Sequence, residues 1–256
     1  MQSDVNQKRA IRRKKARRRR IKIAFIFFLV ISLITLAIMC FTVFFKVKRV
    51  EVTGSKIYKE NNQDIIKASG LLGENLFVAS EKKIEVKIRK SLPYVDDVSL
   101  ERKFPDKVIL TITDAKEKMY FEKDNKYYFV SENGYVLKEQ EEVPENAFQI
   151  ISSGISGNIG ELAKYENANE QNLSEKIVNS LNKHKIYINK IDVTNPLEIV
   201  VEVENKFTVL LGKDEYCEEK IAHLASMIES IGDRSGDINI SMWTPQNSQG
   251  SFVENK

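Results

Sequence analysis

His184 and His223 are the first residues to test for chemistry, and 39 positions separate them. Metal sites draw on His, Cys, Asp and Glu at short recurring spacings that bring several donors onto one loop or helix face. Neither histidine has such a neighbourhood, so each is read as a surface or helix-flank residue and no metal is expected. A serine nucleophile on a sharp elbow needs Gly-x-Ser-x-Gly, and Gly154-Ile155-Ser156-Gly157 is too short for it. Gly154, Gly157 and Gly160 also lack the spacing of a phosphate-binding loop, so Ser152–Gly160 is expected to be a plain loop. Cys217 falls on the apolar stripe of a helix, which predicts a buried core residue rather than a reactive thiol. Acidic side chains abound, but no pair stands out for general acid–base work. The sequence therefore predicts no catalytic residue, no cofactor and no enzyme.

What remains is an anchor and a set of elements that must present a surface. Ten of the thirteen residues from Lys8 to Arg20 are Lys or Arg, and an uncharged run from Ile23 to Phe45 follows. Its 23 residues, at about 1.5 Å each, make a helix of roughly 35 Å, enough to cross a hydrocarbon core of about 30 Å. Residues 1–22 carry 11 basic side chains and a single acid, Asp4, whereas the far flank offers only Lys46, Lys48 and Arg49. The positive-inside rule then holds the N-terminus in the cytoplasm and places the C-terminus outside the cell membrane. A cleaved signal peptide fits less well, because the run exceeds an h-region of about 7–15 residues and no small-x-small site ends it. Cys40 follows Met39, where a lipoprotein site needs a small residue. The basic tail is read as setting orientation and attracting anionic lipid, not as binding nucleic acid.

The chain holds 40 basic and 36 acidic residues overall, but residues 23–256 hold 29 and 35. The exported part is thus mildly acidic, and the overall basic balance gives no ground for a nucleic-acid partner. About 210 residues lie beyond the anchor, enough for two modest domains with their own cores. Only Cys217 lies outside the apolar run, so packing and not a disulfide must hold this part together.

Directly after the anchor, Val50 and Val52 alternate with Arg49, Glu51 and Thr53, and Gly54 ends the strand. Asn61 or Asn62 is placed to cap a short helix through Ser69, with Gly70 past its end. Ser80 heads a second helix carrying Ile84 and Ile88. Val98 and Leu100 mark a strand, and after Phe104-Pro105-Asp106 the residues Val108, Leu110 and Ile112 mark another. The order is β-α-α-β-β, with both helices on one side of a small sheet.

The remainder is richer in strands. Met119–Phe121, Tyr127–Val130 and Tyr135–Leu137 read as a meander turning at Asp124-Asn125 and at Glu132-Asn133-Gly134. Phe148–Ser152 is a further strand, and a helix is expected from about Gln171 to Asn182. In Ile186–Val193 the apolar parity shifts, which predicts a bulge near Asn189-Lys190. Leu197–Val203, the turn Glu204-Asn205-Lys206 and Phe207–Leu211 form a hairpin. A helix from about Asp214 to Ile231 aligns Cys217, Ile221, Leu224, Ile228 and Ile231. Asp237–Met242 closes the fold, with Ile238, Ile240 and Met242 on one face and Trp243 on the other. Thr244–Lys256 is polar and expected to be unstructured. That would leave the last strand as an exposed sheet edge, open to strand addition by a partner. An internal strand that merely packs the core fits the same pattern.

In order and spacing these segments resemble the FtsQ/DivIB family of bacterial cell-division proteins, from the basic tail to Trp243. The carriers are Val47-Lys48-Arg49-Val50-Glu51-Val52-Thr53-Gly54, Gly73-Glu74-Asn75-Leu76-Phe77, Leu92-Pro93-Tyr94-Val95, and Arg102–Asp106 with Leu110-Thr111-Ile112. Further on they are Val130–Leu137, Val209–Gly212, Lys220–Leu224 and Gly236–Ser241. Met242-Trp243-Thr244-Pro245 departs from the polar stretch many relatives carry. The resemblance implies an α+β chain divided as follows: a cytoplasmic tail over 1–22, a transmembrane helix over 23–45, a POTRA domain over 46–116, a mixed, mostly antiparallel β domain with two helices over 117–243, and a polar tail over 244–256. It also implies a non-enzymatic scaffold of the division septum whose partners are FtsL-like and FtsB/DivIC-like single-pass proteins. The implied docking residues are Ile238, Asn239, Ile240, Ser241, Met242 and Trp243, with Phe207, Val209 and Leu211 on the neighbouring strand. A POTRA-containing envelope-assembly or secretion factor is the alternative, and it should lead into tandem POTRA units or a barrel. A membrane-tethered hydrolase or protease would need a catalytic constellation.

Overall fold

The computed structural model describes residues 2–143 and 146–255. Helix α1 (Gln2–Phe44) is continuous. Its segment Arg20–Phe44 is long and apolar enough to cross a membrane, and its most apolar stretch has no buried residue. A helix apolar on every side with no protein over it has only lipid to bury against.

Beyond the anchor lie β1 (Arg49–Thr53), α2 (Asn62–Ser69), α3 (Glu81–Ser91), β2 (Val95–Lys103) and β3 (Lys107–Asp114). The sheet order is β1-β3-β2, with β1 parallel and β2 antiparallel to β3. Ile65 of α2 and Ile84 and Ile88 of α3 pack on Val98, Leu100, Val108, Leu110 and Ile112. Gly70 ends α2 in the left-handed region at φ 62°, where a glycine carries no Cβ penalty. Asn61 and Ser80 occupy the cap positions, but neither side chain makes the capping bond.

The second unit is a sheet of nine strands. In chain order they are β4 (Glu117–Lys123), β5 (Lys126–Ser131), β6 (Val136–Gln140), β7 (Phe148–Ile151), β10 (Ile188–Asp192), β11 (Ile199–Val203), β12 (Phe207–Gly212), β13 (Gly236–Asn239) and β14 (Ser251–Glu254). Their spatial order is β14-β13-β12-β11-β10-β7-β4-β5-β6. Helices α4 (Ala168–Lys183) and α5 (Cys217–Ile231) supply Ile177, Leu181, Ile221 and Leu224 to its main core. Two hairpins turn through consecutive positive-φ residues, Asp124-Asn125 and Glu204-Asn205, the geometry that matches strand twist. The register shift between Ile188 and Lys190 is the expected bulge.

Two expectations need correction. Ser152–Gly160 is not a plain loop, because Ile155–Ser156 (β8) pairs with Lys164–Tyr165 (β9). Ile155 and Tyr165 pack against the main core, so a short arm forms where its two apolar residues find cover. The polar C-terminal stretch is not wholly unstructured either. Ser251–Glu254 runs antiparallel along β13, held by Phe252, whose ring lies 6.3 Å from that of Phe207. Lys256 lies outside the described residues.

Arg89 joins the two units. Its side chain is 1% exposed. Nε donates to Val95 O at 3.0 Å, and Nη2 donates to Asp96 O and pairs with Glu85. The guanidinium lies 3.6 Å from the centroid of the Tyr135 ring, and Asn133 donates to the Asp96 carboxylate. Nε and Nη2 of this buried cation thus meet three acceptors, and its face meets a π system.

Candidate protein-docking surface

The predicted docking residues come together at one end of the nine-stranded sheet. Phe207, Val209 and Leu211 of β12 are buried, as are Ile238 of β13, Ile240 and Trp243. These six side chains form the floor of the sheet end and are not free to touch a partner. Asn239 is exposed, Ser241 half-buried, and Met242 is 80% exposed. The strand ends at Asn239, because Asn239 Oδ1 accepts from both the amide and the hydroxyl of Ser241 and turns the chain. Met242 therefore does not share the face of Ile238 and Ile240. Trp243 folds under, its ring 5.8 Å from that of His223.

The open edge is one strand further out than the sequence pattern suggests. β13 lies between β12 and β14. Gly236 and Ile240 donate their amides to Lys206 O and Leu210 O, toward β12. By alternation the amides of Asp237 and Asn239 face β14. On β14 the following residue, Asn255, donates inward to Ser235 O. The amides and carbonyls of Phe252 and Glu254 therefore point away from the sheet. At the opposite end, β6 is partly covered, since Val136 exchanges bonds with Glu161 and Gly160.

A cleft opens where β12 and β13 end, lined by Leu197, Leu210, Tyr216, Met242 and Trp243 among others and by no residue of β14. Leu197, Tyr216 and Met242 are exposed apolar side chains. Tyr216 sits in the left-handed region at φ 56° without being glycine, a conformation that has an energetic cost and recurs at functional positions. The cleft wall is pinned by Lys220, whose buried ammonium donates to Leu211 O at 2.8 Å, Lys213 O at 2.9 Å and Ser241 O at 3.4 Å. Burial pushes the Lys220 pKa down, opposed by the nearby Cys217, Glu215 and Asp214. Burial likewise pushes the Cys217 thiol up, against the pull of Lys176 and Lys220. A protonated, enclosed thiol is a poor nucleophile. Among the described residues no group of His, Cys, Asp and Glu is arranged to hold a metal ion.

Sequence pattern missed β14, Lys220 and Arg89. The signal for β14 was Phe252-Val253 in an otherwise polar tail, too short for a period to show. For Arg89 it was position, directly beside Ile88 on the buried face of α3. Lys220 sits beside Ile221 on α5 in the same way.

Comparison with known proteins gives two family matches. Residues 45–114 match the POTRA domain of FtsQ type, and residues 119–242 match the C-terminal domain of cell division protein FtsQ/DivIB. β14 lies beyond the second match. The cell division protein DivIB of Clostridium tetani is 30% identical over 228 residues, covering 84% of this chain and 83% of its own. DivIB of Clostridium botulinum strain Hall is 27% identical over 221 residues, 82% of either chain. The cell division protein FtsQ of Streptomyces venezuelae is 24% identical over 211 residues, 81% of this chain and 75% of its own.

Proposed function

Because the chain belongs to the FtsQ/DivIB family of cell-division proteins, we propose that it is a non-enzymatic scaffold of the septal machinery. In this reading α1 spans the cell membrane with its basic end in the cytoplasm, and the POTRA and β domains (46–116 and 117–243) work outside. The scaffold links FtsL-like and FtsB/DivIC-like single-pass partners. The observation that carries the docking site is the sheet edge at β14, where the Phe252 and Glu254 amides point outward; the cleft at the ends of β12 and β13 lies on the same half of the sheet. A partner strand pairs with Phe252 and Glu254, and an apolar side chain of the partner enters the cleft between Tyr216 and Met242. Asn239, Ser241 and Met242 line its approach, while Ile238, Ile240, Trp243, Phe207, Val209 and Leu211 hold the floor flat.

Glu254→Pro tests this directly. Proline is tolerated on an edge strand where the lost N–H faced solvent, so the fold persists while an outward donor disappears and the ring blocks a close strand. Co-purification of the FtsB/DivIC-like partner from membranes should drop sharply, and full retention would refute the edge. Ile240→Pro is not an equivalent test, because that amide donates inward to Leu210 O.

A second reading is favoured by the end of the family match at Met242. Here the partner strand takes the place of β14 on β13. Removal of residues 249–256 separates the two, weakening partner binding in the first reading and strengthening it in the second.

A further inference from the structure

The end of the POTRA unit nearest α1 carries an aromatic cluster that the docking function does not use. Phe41 and Phe45 lie one helical turn apart at the end of the apolar run. The Phe77 ring stacks on Phe41 at 4.8 Å and meets Phe45 at 5.1 Å. Phe104, in the β2–β3 turn, lies 6.1 Å from Phe45 and 5.5 Å from Phe77. The backbone fixes this arrangement. Asn75 Nδ2 donates to Phe41 O at 3.1 Å, Leu76 N to Phe45 O at 2.8 Å, and Val47 N to Glu74 O at 2.9 Å.

Depth follows from helix geometry. Phe41 precedes Phe45 by four residues, so it sits about 6 Å deeper along the axis. A ring stacked on Phe41 cannot lie outside the membrane unless the last turn of the span does. The apolar run is roughly 35 Å long against a hydrocarbon core of about 30 Å, which places that last turn in the interfacial layer. Around the cluster, Leu72 and Phe77 are exposed, Phe104 is 62% and Val78 72% exposed. Lys46, Lys48, Arg49 and Lys103 are exposed at the same end. Exposed apolar side chains ringed by basic ones, continuous with a lipid-facing helix, match the chemistry of a membrane interface.

We propose that the membrane-proximal end of the POTRA unit, the 71–78 loop and the Phe104 turn, is itself a lipid-binding surface. It seats Leu72, Phe77, Val78 and Phe104 at the boundary between headgroups and acyl chains. The anchor and the first folded unit then enter the bilayer together, and the POTRA unit cannot swing freely on its tether. The inference rests on α1 being a membrane span and is independent of the docking edge.

The full-length chain in partner-free vesicles of phosphatidylcholine and phosphatidylglycerol provides the test. With Cys40→Ala as background, single substitutions Val78→Cys and Phe104→Cys carry an environment-sensitive dye, and the vesicles contain lipid spin-labelled near the headgroup. Leu36→Cys, within the span, selects the preparations in which α1 is inserted. Ile57→Cys is the water-side reference, since it lies beyond the far end of β3, roughly 25 Å from the Phe104 turn at about 3.3 Å per residue. Blue-shifted emission and loss of fluorescence at both Val78 and Phe104, beyond the Ile57 label, support the proposal. A label at either position that behaves like Ile57 overturns it, and quenching that appears only after a partner protein is added also overturns it. None of these outcomes depends on which way the chain faces or on β14.

Discussion

Replacing Arg89 by Met should be the most destabilising single substitution at the junction of the two folded units. The methionine keeps most of the apolar stem but removes every donor. Val95 O and Asp96 O lose the partners they have in a site where Arg89 is 1% exposed. An unsatisfied buried carbonyl costs about 1–3 kcal/mol. Contact with the Tyr135 face adds about 1–2 kcal/mol when desolvated as here. Glu85 retains 21% exposure and can rehydrate, so its lost ion pair adds little. Asp96 O is only part-buried and can rehydrate, so one buried carbonyl and the ring contact sum to about 2–5 kcal/mol, reaching the range found for breaking a buried charge pair. At about 2–4 °C per kcal/mol for a chain of this size, scanning calorimetry of the full-length protein in detergent should show Tm lowered by roughly 4–20 °C. Tyr135→Leu alone should cost only the cation–π share. Its effect should largely vanish in the Arg89→Met background, because the cation it served is gone. A fall below about 2 °C for Arg89→Met would refute the claim that this guanidinium organises the junction.

Other perturbations follow from the same geometry. The Tyr94 pKa is raised well above its ordinary value, first by burial and then by the Glu117 carboxylate that its hydroxyl meets at 2.6 Å. A raised folded pKa contributes stability that is complete below the unfolded value, about 10, and is lost as pH rises beyond it. The denaturation midpoint should therefore fall between about pH 10 and 11.5 and fall less steeply in Tyr94→Phe, and identical slopes would contradict the assignment. Cys217, buried with its thiol pKa raised, should resist maleimide at neutral pH until the fold is opened with denaturant; rapid labelling of the native protein would show the α5 stripe exposed. Gly236→Val should expel β14 without altering its sequence, since a Cβ there would meet Val253 O at 2.1 Å. Limited proteolysis after Thr244 should then accelerate while Trp243 fluorescence stays native, and an unchanged cleavage rate would mean β14 is held by something other than this ladder.

Much of the fold was legible because its elements obey a single period over enough residues. The α5 stripe from Cys217 to Ile231 and the alternation Ile199-Val201-Val203 each announce one core-facing side, and both face the core as expected, with Ile228 partly buried. Asp124-Asn125 and Glu204-Asn205 announce hairpins because those residue types tolerate positive φ. The docking end was less legible, for three physical reasons. A four-residue strand such as β14 shows no period and is held by one aromatic contact and a glycine opposite it. Met242 fits the two-residue alternation of Ile238 and Ile240, yet the Asn239 side chain breaks the strand first. Lys220 and Arg89 look like solvated charges in the sequence, and only the backbone carbonyls that converge on them reveal otherwise. The aromatic cluster at Phe41, Phe45, Phe77 and Phe104 joins residues more than 60 positions apart, beyond any local pattern.

The scaffold claim is met most directly by amide hydrogen exchange, resolved to single residues, on the full-length protein with and without the extracytoplasmic part of the proposed FtsB/DivIC-like partner. Strand addition at the open edge predicts that the amides of Phe252 and Glu254 slow markedly on binding. Those of Val253 and Asn255, already turned toward β13, should change little. Slowing confined to other parts of the protein, with residues 251–255 as fast as in the free chain, would contradict the account.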